Sequence, residues 1–499
     1  MKRNKVTLLN MSTGLLLQLC TVISGFILPR LILSYFGSDV NGLVTSLNQF
    51  LAYISLVEGG ISGVIMANLY KPLVQQDDAK ISAVMASANR FYKRVGFVFI
   101  IYALILAVVY PLIFNTGFSF LYVASLTLIL SITKVIQYMF SLTMKTLLRA
   151  DKKNYIVSLS QVVIVILNLI LAYLSLKLYP DIHVLKLISC SLFVIQPILY
   201  SRYVRRHYAI DWKAKPDDKL IRERWNGFAI NVAAFIHNST DVTLLTIFTS
   251  LKTVSVYSVY ALVSSGLKEL VNACLTGIDN AVGHAYAKEN WKELHQKLDL
   301  YEYIVFLLVT LLFTVGCLLI TPFITIYTKG VTDADYYQPV FGYLLLLAEA
   351  IHLVKVPHLN LAYVANKFRE ITRPAFIESF LNIAVSIVLV QFMGLTGVAI
   401  GTVVGMSYRS AFHVYYTSKI IPDRPQRIFY TKLCIFAATA LAAYFLCSTL
   451  IPFTSYTIGN WMLHGILYGI ITGGCIGVVT LLCFRKELGY LLSYLGIRK

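Results

Sequence analysis

Apolar runs, each about 20 residues or longer, recur from one end of the sequence to the other. A helix of about 20 apolar residues crosses a hydrocarbon core of about 30 Å, whereas a barrel strand needs only about ten residues of alternating polarity. Charged residues make up 13% of the chain, against about 25% in soluble domains. The pattern therefore predicts an all-α polytopic membrane protein.

We predict about fourteen transmembrane helices from these runs. Their approximate bounds are 8–35, 41–69, 95–115, 118–144, 155–177, 182–201, 226–250, 253–285, 301–328, 338–364, 374–393, 395–418, 432–452 and 460–484.

The longest polar connection divides the first twelve spans into two sets of six with a similar order of spans and polar tails. We therefore expect two six-helix lobes in a parallel pseudo-repeat, related by an axis along the membrane normal, plus two extra C-terminal helices. The expected domains are an N-lobe with spans 1–6 (1–207), a cytoplasmic linker (208–225), a C-lobe with spans 7–12 (226–420), and spans 13–14 with a cytoplasmic tail (421–499).

Lys and Arg residues fall mainly on one side of the predicted topology. If the N-terminus is cytoplasmic, the outer connections and the span ends beside them hold few of the 43 basic residues, namely Lys177, Lys186, Lys252 and Lys329. The positive-inside rule then predicts that both termini are cytoplasmic. The net charge of +19 is explained by topology and anionic inner-leaflet lipid, so we expect no nucleic acid partner.

Motifs of catalysis and metal binding are absent from the sequence. The eight cysteines lie in apolar segments without a C-x-x-C pair, and neither H-E-x-x-H nor a Walker or G-x-G-x-x-G loop occurs. We therefore expect no enzyme activity, no bound metal and no cofactor.

Five cations lie inside the predicted spans, where each costs at least about 2.5–3.5 kcal/mol and usually faces a cavity, a partner or a substrate path. We predict that they bind an anionic headgroup: Arg30, Lys134, Lys268, Lys355 and Arg409. For Lys134 we favour a cavity over a structural ion pair, because it lies on a polar stripe. The other four also keep alternatives: Arg30 as an interfacial arginine, Arg409 as part of a packing face, Lys268 as the partner of another helix, and Lys355 as part of a kinked packing helix.

A second set of polar positions comprises candidates for ion coupling or gating. These are Glu58, Asp241, Glu349, His352 and Pro357. Glu58 precedes a pair of glycines, which weaken its helix locally. A carboxylate at such a point is suited to bind a coupling proton or Na⁺. The alternative is that Glu58 neutralises one of the lysines. Pro357 should kink its helix, and broken membrane helices are tolerated where they line a cavity.

Two glycine runs predict close helix packing because small residues let backbones approach. One run is Gly397, Gly401 and Gly405, and the other extends from Gly465 to Gly477. For the second run, a shallow lipid-facing groove is the alternative.

The segment from Gly25 to Leu43, G-F-I-L-P-R-L-I-L-S-Y-F-G-S-D-V-N-G-L, resembles the opening of bacterial lipid-linked oligosaccharide flippases of the O-antigen and capsule (Wzx) type. The shared pattern is an apolar helix, a Pro-Arg pair and a Gly-acidic-x-x-Gly turn, here Gly37, Asp39 and Gly42; Asn41 stands where an aromatic residue is common. The resemblance implies the multidrug/oligosaccharidyl-lipid/polysaccharide exporter fold.

The resemblance also implies a function. Such proteins reside in the bacterial plasma membrane and carry undecaprenyl-pyrophosphate-linked repeat units to the outer leaflet for capsule or exopolysaccharide assembly. For this chain we expect alternating access with a cationic central cavity, coupling to H⁺ or Na⁺, and polysaccharide polymerase or assembly proteins as partners.

Three alternatives remain open from the sequence. The first is a cation-coupled drug exporter of the same fold, and the second is a flippase for a peptidoglycan or teichoic acid precursor. The third, from a different class, is a membrane glycan polymerase, although no long outer loop is predicted.

Overall fold

A computed structural model describes residues 2–58, 60–216, 225–275, 278–422 and 424–494. Within these ranges the chain forms helices and no β-strand. Ten of the helices found there are long and apolar enough to cross a membrane. The predicted class, an all-α polytopic membrane protein, is confirmed.

The chain divides into two compact units. Unit 1 consists of Met1–Phe235 and Ser250–Ser255, and unit 2 consists of Ile236–Thr249 and Val256–Lys499. The predicted domain boundaries and the orientation of the termini stay predictions.

Unit 1 is built from nine α-helices, a π-helical turn and a 3₁₀ turn in the described residues. These are α1 (Lys2–Ala52), α2 (Ser55–Glu58), α3 (Ile61–Gln75), α4 (Asp78–Ile113), α5 (Phe120–Ile136), the π-helix Gln137–Ser141, α6 (Leu142–Ala150), α7 (Asn154–Leu178), α8 (Ile182–Ser191), the 3₁₀ turn Leu192–Val194 and α9 (Ile195–His207). Helices α10 (Trp225–Phe248) and α11 (Leu251–Leu275) contribute residues to both units.

Unit 2 continues with the remaining helices. They are α12 (Ile278–Ala287), α13 (Trp291–Tyr327), α14 (Pro339–Val354), α15 (Val356–Val364), α16 (Phe368–Met393), α17 (Leu395–Ile420), α18 (Arg427–Leu450), α19 (Ile458–Cys483) and α20 (Arg485–Tyr494).

Each of the fourteen predicted spans falls on helix, although fewer helices qualify by hydropathy. The first two spans share the continuous element α1, which bends at Gly37 (φ 78°), and the second continues through α2 and α3. The other spans outside those ten lie on α10–α12 and α17.

The predicted repeat shows itself in the backbone of the connections. Gln76 and Glu289 both adopt positive φ, of 55° and 53°, before the long helices α4 and α13. Each is followed by a side chain, Asp77 or Asn290, that accepts a hydrogen bond from the backbone N–H three residues on. Such N-caps satisfy an otherwise unpaired helix donor. Equivalent points of the two halves therefore start their third span in the same way.

A second pair of connections repeats this correspondence. Lys152, before α7, has φ 58°, and Asn366, before α16, has φ 56°. Positive φ is uncommon for non-glycine residues, and here it recurs at matching places along the two halves of the chain.

The turn that carries the sequence resemblance is held by close backbone contact within unit 1. A Cβ on Gly42 would lie 1.8 Å from the carbonyl oxygen of Leu251. Nearby, the Asn41 amide donates to Ser255 Oγ at 2.8 Å. Only glycine permits this approach, which explains the second glycine of the motif.

Candidate functional site

In unit 1, the polar stripe predicted around Lys134 contains a π-helical turn. Helix α5 ends at Ile136, the π-helix covers Gln137–Ser141, and α6 follows without a break. A π-turn inserts one extra residue and re-aims the side chains that follow, and such turns are frequent at functional sites. Tyr138, on this turn, is buried.

Opposite this turn, the second span is broken at Glu58. Helix α2 ends there, and α3 begins after Gly60, which has φ 77°. The Glu58 carboxylate accepts hydrogen bonds from Ser62 Oγ at 3.1 Å and from Tyr138 Oη at 3.0 Å. Two interrupted helices therefore meet at one carboxylate. Broken helices at membrane depth are tolerated where protein or a water-filled cavity satisfies the backbone.

Three cations lie along the helical segment that contains the π-turn: Lys134 on α5, and Lys145 and Arg149 on α6. Lys134 and Lys145 are half-buried, while Arg149 is exposed. Among the described residues, none of the three forms an ion pair within 4.0 Å. The charges that act on Lys145 are those of Arg149, Glu58 and Lys134.

Lys145 was missed by the sequence analysis, which ended its span at residue 144. The missing signal was the continuation of the polar stripe beyond the π-turn. Arg30, the other predicted cation of unit 1, lies half-buried on α1 one residue after Pro29.

In unit 2, Lys268 and Glu349 form an ion pair between α11 and α14. The Lys268 ammonium lies 3.2 Å from the carboxylate of Glu349, and both side chains are about one-fifth exposed. The adjacent Glu269 is exposed. Of the two uses left open for Lys268, the structure shows contact with a neighbouring helix. Binding of a headgroup by Lys268 stays a prediction.

The fourth predicted cation, Lys355, is the junction between α14 and α15. Helix α14 ends at Val354 and α15 starts at Val356, so the predicted interruption near Pro357 is confirmed. The Lys355 side chain is 1% exposed, and its ammonium donates to Met406 Sδ at 3.4 Å. A thioether is a weak acceptor. His352 lies half-buried three residues before it.

Charged groups of both signs act on Lys355. The charged groups that act on it are Glu378, Arg409, Lys268 and Glu349. The structure thus brings most of the predicted polar residues of unit 2 into one electrostatic network.

Arg409, the fifth predicted cation, is buried in an ion pair with Glu378 of α16. It continues the glycine face of α17, which packs against α16. A Cβ on Gly397 would lie 2.4 Å from the backbone of Leu389, and one on Gly401 would lie 2.0 Å from Ser386 Oγ. The packing role of this glycine run is confirmed.

The second glycine run behaves differently. A Cβ on Gly465 would meet Leu319 at 3.4 Å, whereas Gly469, Gly473 and Gly477 have nothing within 4 Å of a Cβ. The predicted close packing is therefore wrong for these three residues within the described chain, because no neighbouring element covers that face of α19.

Asp241 lies in a buried pocket of oxygen-bearing side chains. Its carboxylate accepts hydrogen bonds from Tyr257 Oη at 3.0 Å and Thr402 Oγ1 at 3.2 Å. The Asn382 amide approaches Thr402 at 3.5 Å, and Ser386 donates to the carbonyl of Val398 at 3.3 Å. Oxygen donors of this kind suit a hard cation. Among the predicted coupling residues, Asp241 therefore has the surroundings that best suit binding of a hard cation.

A buried charge cluster in unit 2 was not anticipated. Arg424 lies 2.7 Å from Glu302 and 2.8 Å from Asp299, and Lys432 lies 2.8 and 3.0 Å from the same two carboxylates. Burial disfavours the charge of Arg424, but the two carboxylates outweigh it and raise its pKa. The charges balance within the cluster, which indicates a structural role.

His358 belongs to this cluster and not to the environment of Lys355. Its Nε2 lies 3.4 Å from Glu302, and its Nδ1 lies 2.9 Å from Thr417 Oγ1. In the described chain, no group of three or more His, Cys, Asp or Glu residues is arranged to hold a metal ion.

Comparison with solved structures places this arrangement in a known fold. The chain superposes on "Lipid II flippase MurJ, inward closed conformation" with a TM-score of 0.68 and 13% identity, covering 95% of this chain and 100% of that one. It has the fold of the MOP-superfamily transporters. An inward-facing multidrug resistance MATE transporter of that superfamily gives a TM-score of 0.62 at 14% identity, covering 83% and 98% of the two chains.

A third structure, the MATE multidrug transporter DinF-BH, gives a TM-score of 0.61 at 14% identity, covering 85% and 96% of the two chains. No protein-family model matches the chain, and no curated protein matches it. Similarity at this level of identity shows the fold; the helices and this fold together indicate a multi-pass membrane protein.

Proposed function

We propose that the chain is a flippase that carries undecaprenyl-pyrophosphate-linked oligosaccharide repeat units from the cytoplasmic to the outer leaflet of the bacterial plasma membrane, for capsule or exopolysaccharide assembly. The observation that carries this proposal is that Lys134, inside a predicted span, is half-buried and forms no ion pair within 4.0 Å among the described residues; Lys145 and Arg149, further along the same helical segment, form none there either. A cation is expensive inside a membrane unless an anion compensates it. A lipid-borne pyrophosphate is such an anion.

The other predicted cations divide by environment. Lys268 and Arg409 already have carboxylate partners at contact distance, so their proposed part is to hold helices of unit 2 together. Lys355 and Arg30 remain proposed headgroup ligands, with Lys355 reached when the helix opens at its junction near Pro357.

Transport would proceed by alternating exposure of the headgroup site to the two sides of the membrane. Moving an anion out of a negative interior lowers its free energy by about 2.3 kcal/mol per charge across a potential of 100 mV. We propose that Asp241 binds the coupling H⁺ or Na⁺, because its carboxylate accepts from the hydroxyls of Tyr257 and Thr402 and has no ion pair within 4.0 Å in the part of the chain that the structure describes. Glu58 is the second candidate, and Glu349 and His352 are proposed to assist gating.

A second candidate function is a flippase for a peptidoglycan precursor. The match to the lipid II flippase over 95% of this chain favours it. Both functions use the same anion chemistry and differ in the glycan.

The test is depletion of the protein in its native cell, followed by measurement of lipid-linked glycans on the inner leaflet. Accumulation of a capsule or exopolysaccharide repeat unit supports the proposal, and accumulation of a peptidoglycan precursor supports the second candidate. If neither accumulates and the cells lose efflux of cationic dyes, the chain is a drug exporter and both proposals fail.

A further inference from the structure

We infer that the segment after α9 forms a binding site for the headgroup of an anionic phospholipid of the surrounding bilayer. We call this site the linker recess and define it by four of the residues that line it, Arg205, Tyr208, Asp211 and Trp212. The inference does not depend on the proposed function, because the ligand is a lipid of the bilayer and not the transported one.

The segment 208–214 is fastened to unit 1 at two points. The phenol of Tyr208 donates to the carboxylate of Asp151 at 2.5 Å. Three residues further on, the backbone N–H of Asp211 donates to Ser82 Oγ of α4 at 3.0 Å. A segment held in this way presents a fixed surface, and a preorganised surface binds a ligand at a lower cost in entropy.

The position of the segment matches the headgroup level of a bilayer. The sixth predicted span ends at residue 201, six residues before the end of α9 at His207. Ile210 packs against the hydrophobic core of unit 1, while the side chain of Trp212 is 40% exposed. Tryptophan is enriched at membrane interfaces, where its ring contacts apolar chains and its N–H contacts water. We therefore expect Trp212 to lie among lipid headgroups.

The recess between α9 and the segment has the size of a ligand site. Its volume is about 490 Å³, and it is open on one side. Arg205 lines it from α9, whereas Asp211 and Trp212 line it from the segment. Sites for small ligands have volumes of about 300–1,000 Å³, so the recess has room for one headgroup.

The charges around the recess favour an anion. The exposed basic residues of this region are Arg202, Arg205, Arg206, Lys213 and Lys215. In the part of the chain that the structure describes, none of them forms an ion pair within 4.0 Å. The opposing charge is that of Asp211, whose Oδ1 accepts from the backbone N–H of Lys213 at 2.9 Å. Positive charge is therefore in excess.

The combination of charge and apolar surface distinguishes a lipid from an acidic protein. Clusters of Lys and Arg directly after a membrane span attract anionic lipids. A phospholipid also suits Trp212, because its phosphate binds the cations while its acyl chains remain in the bilayer beside the indole. The recess confines this attraction to one headgroup position.

The experiment is native mass spectrometry of the purified full-length protein with phosphatidylglycerol and phosphatidylcholine of identical acyl chains. We expect phosphatidylglycerol to bind at least about tenfold more tightly. The double variant Arg205→Gln/Lys213→Gln should weaken phosphatidylglycerol binding by roughly tenfold and leave phosphatidylcholine binding unchanged. Asp211→Asn keeps an acceptor for the Lys213 amide and removes the opposing charge, so it should strengthen phosphatidylglycerol binding by roughly threefold.

Lys288→Gln/Lys292→Gln is the charge-matched control. Both lysines are exposed near the start of α13 in unit 2, so this variant loses the same two positive charges away from the recess. We expect it to change phosphatidylglycerol binding by less than about twofold, because exposed charges beyond a Debye length are screened.

Three results would overturn the inference. Equal weakening in the two double variants would show diffuse attraction to the whole basic surface. Equal retention of the two lipids would leave the surface to an acidic protein partner. Unchanged binding in Asp211→Asn would place the headgroup outside the recess. None of these results bears on glycan transport, which the depletion experiment measures separately.

Discussion

The phenol of Tyr138 donates a hydrogen bond to the carboxylate of Glu58 at 3.0 Å and so joins the π-turn of one span to the break in another. Glu58 is the last residue of α2, and Tyr138 lies in the π-helix, so both groups are at interruptions of regular α-helix. The contact fixes the orientation of the carboxylate beside the cations of unit 1.

Tyr138→Phe removes this donor and leaves Glu58 with the Ser62 hydroxyl alone. A hydrogen bond to a charged group contributes about 1.5–3 kcal/mol, so we expect a lower melting temperature in detergent and altered diphosphate affinity. Tyr173→Phe, at an exposed tyrosine of α7, is the control. Identical melting and binding for Tyr138→Phe and the wild type would show that the contact has no role.

Gly401→Ala should destabilise the protein, because the new methyl group would lie 2.0 Å from Ser386 Oγ. Overpacking of this kind costs about 1–3 kcal/mol. Gly469→Ala is the matched control on an open helix face, where alanine should stabilise the helix by up to about 1 kcal/mol. Thermal unfolding of the two variants side by side measures the difference, and equal melting temperatures would refute the packing assignment.

Glu302→Gln tests the buried charge cluster. The substitution leaves Arg424 and Lys432 short of one buried negative charge, and breaking a buried pair in this way costs about 3–5 kcal/mol. Glu293→Gln removes a carboxylate from a partly exposed pair with Lys297, where about 0.5 kcal/mol or less is expected. Comparable losses of stability in the two variants would mean that the cluster is not structural.

Asp241→Asn tests ion coupling. The variant keeps a side chain of similar shape for Tyr257 and Thr402 but carries no charge to bind H⁺ or Na⁺. Transport by the variant should lose its dependence on an imposed proton or sodium gradient. Asp335→Asn, at an exposed aspartate, should keep the dependence. A gradient dependence unchanged in Asp241→Asn would assign coupling to another residue, with Glu58 tested next.

The sequence predicted the membrane class, the helical position of every span and the interruption near Pro357, because hydrophobic length and proline chemistry act locally. It also predicted the packing glycines of α17. It did not predict which carboxylate meets which cation: Arg409 with Glu378, and Arg424 with Glu302, are contacts between distant segments. No periodicity encodes such pairs.

Two further differences have local causes. Lys145 lies four residues after Ser141 and so keeps the helical spacing of the polar stripe, but the predicted span ended at residue 144. The glycines of α19 have the spacing of a packing face, but spacing does not reveal whether a neighbouring helix is present, and none covers Gly469, Gly473 or Gly477 within the described residues.

The most direct test of the central claim is transbilayer movement in vesicles that contain the purified protein and a fluorescent lipid-linked diphosphate glycan. We expect protein-dependent movement of this lipid between leaflets, strongly reduced by Lys134→Gln and by Lys145→Gln, and unchanged by Lys177→Gln. Absence of protein-dependent movement for diphosphate-linked glycans, with a correctly folded protein, would contradict it.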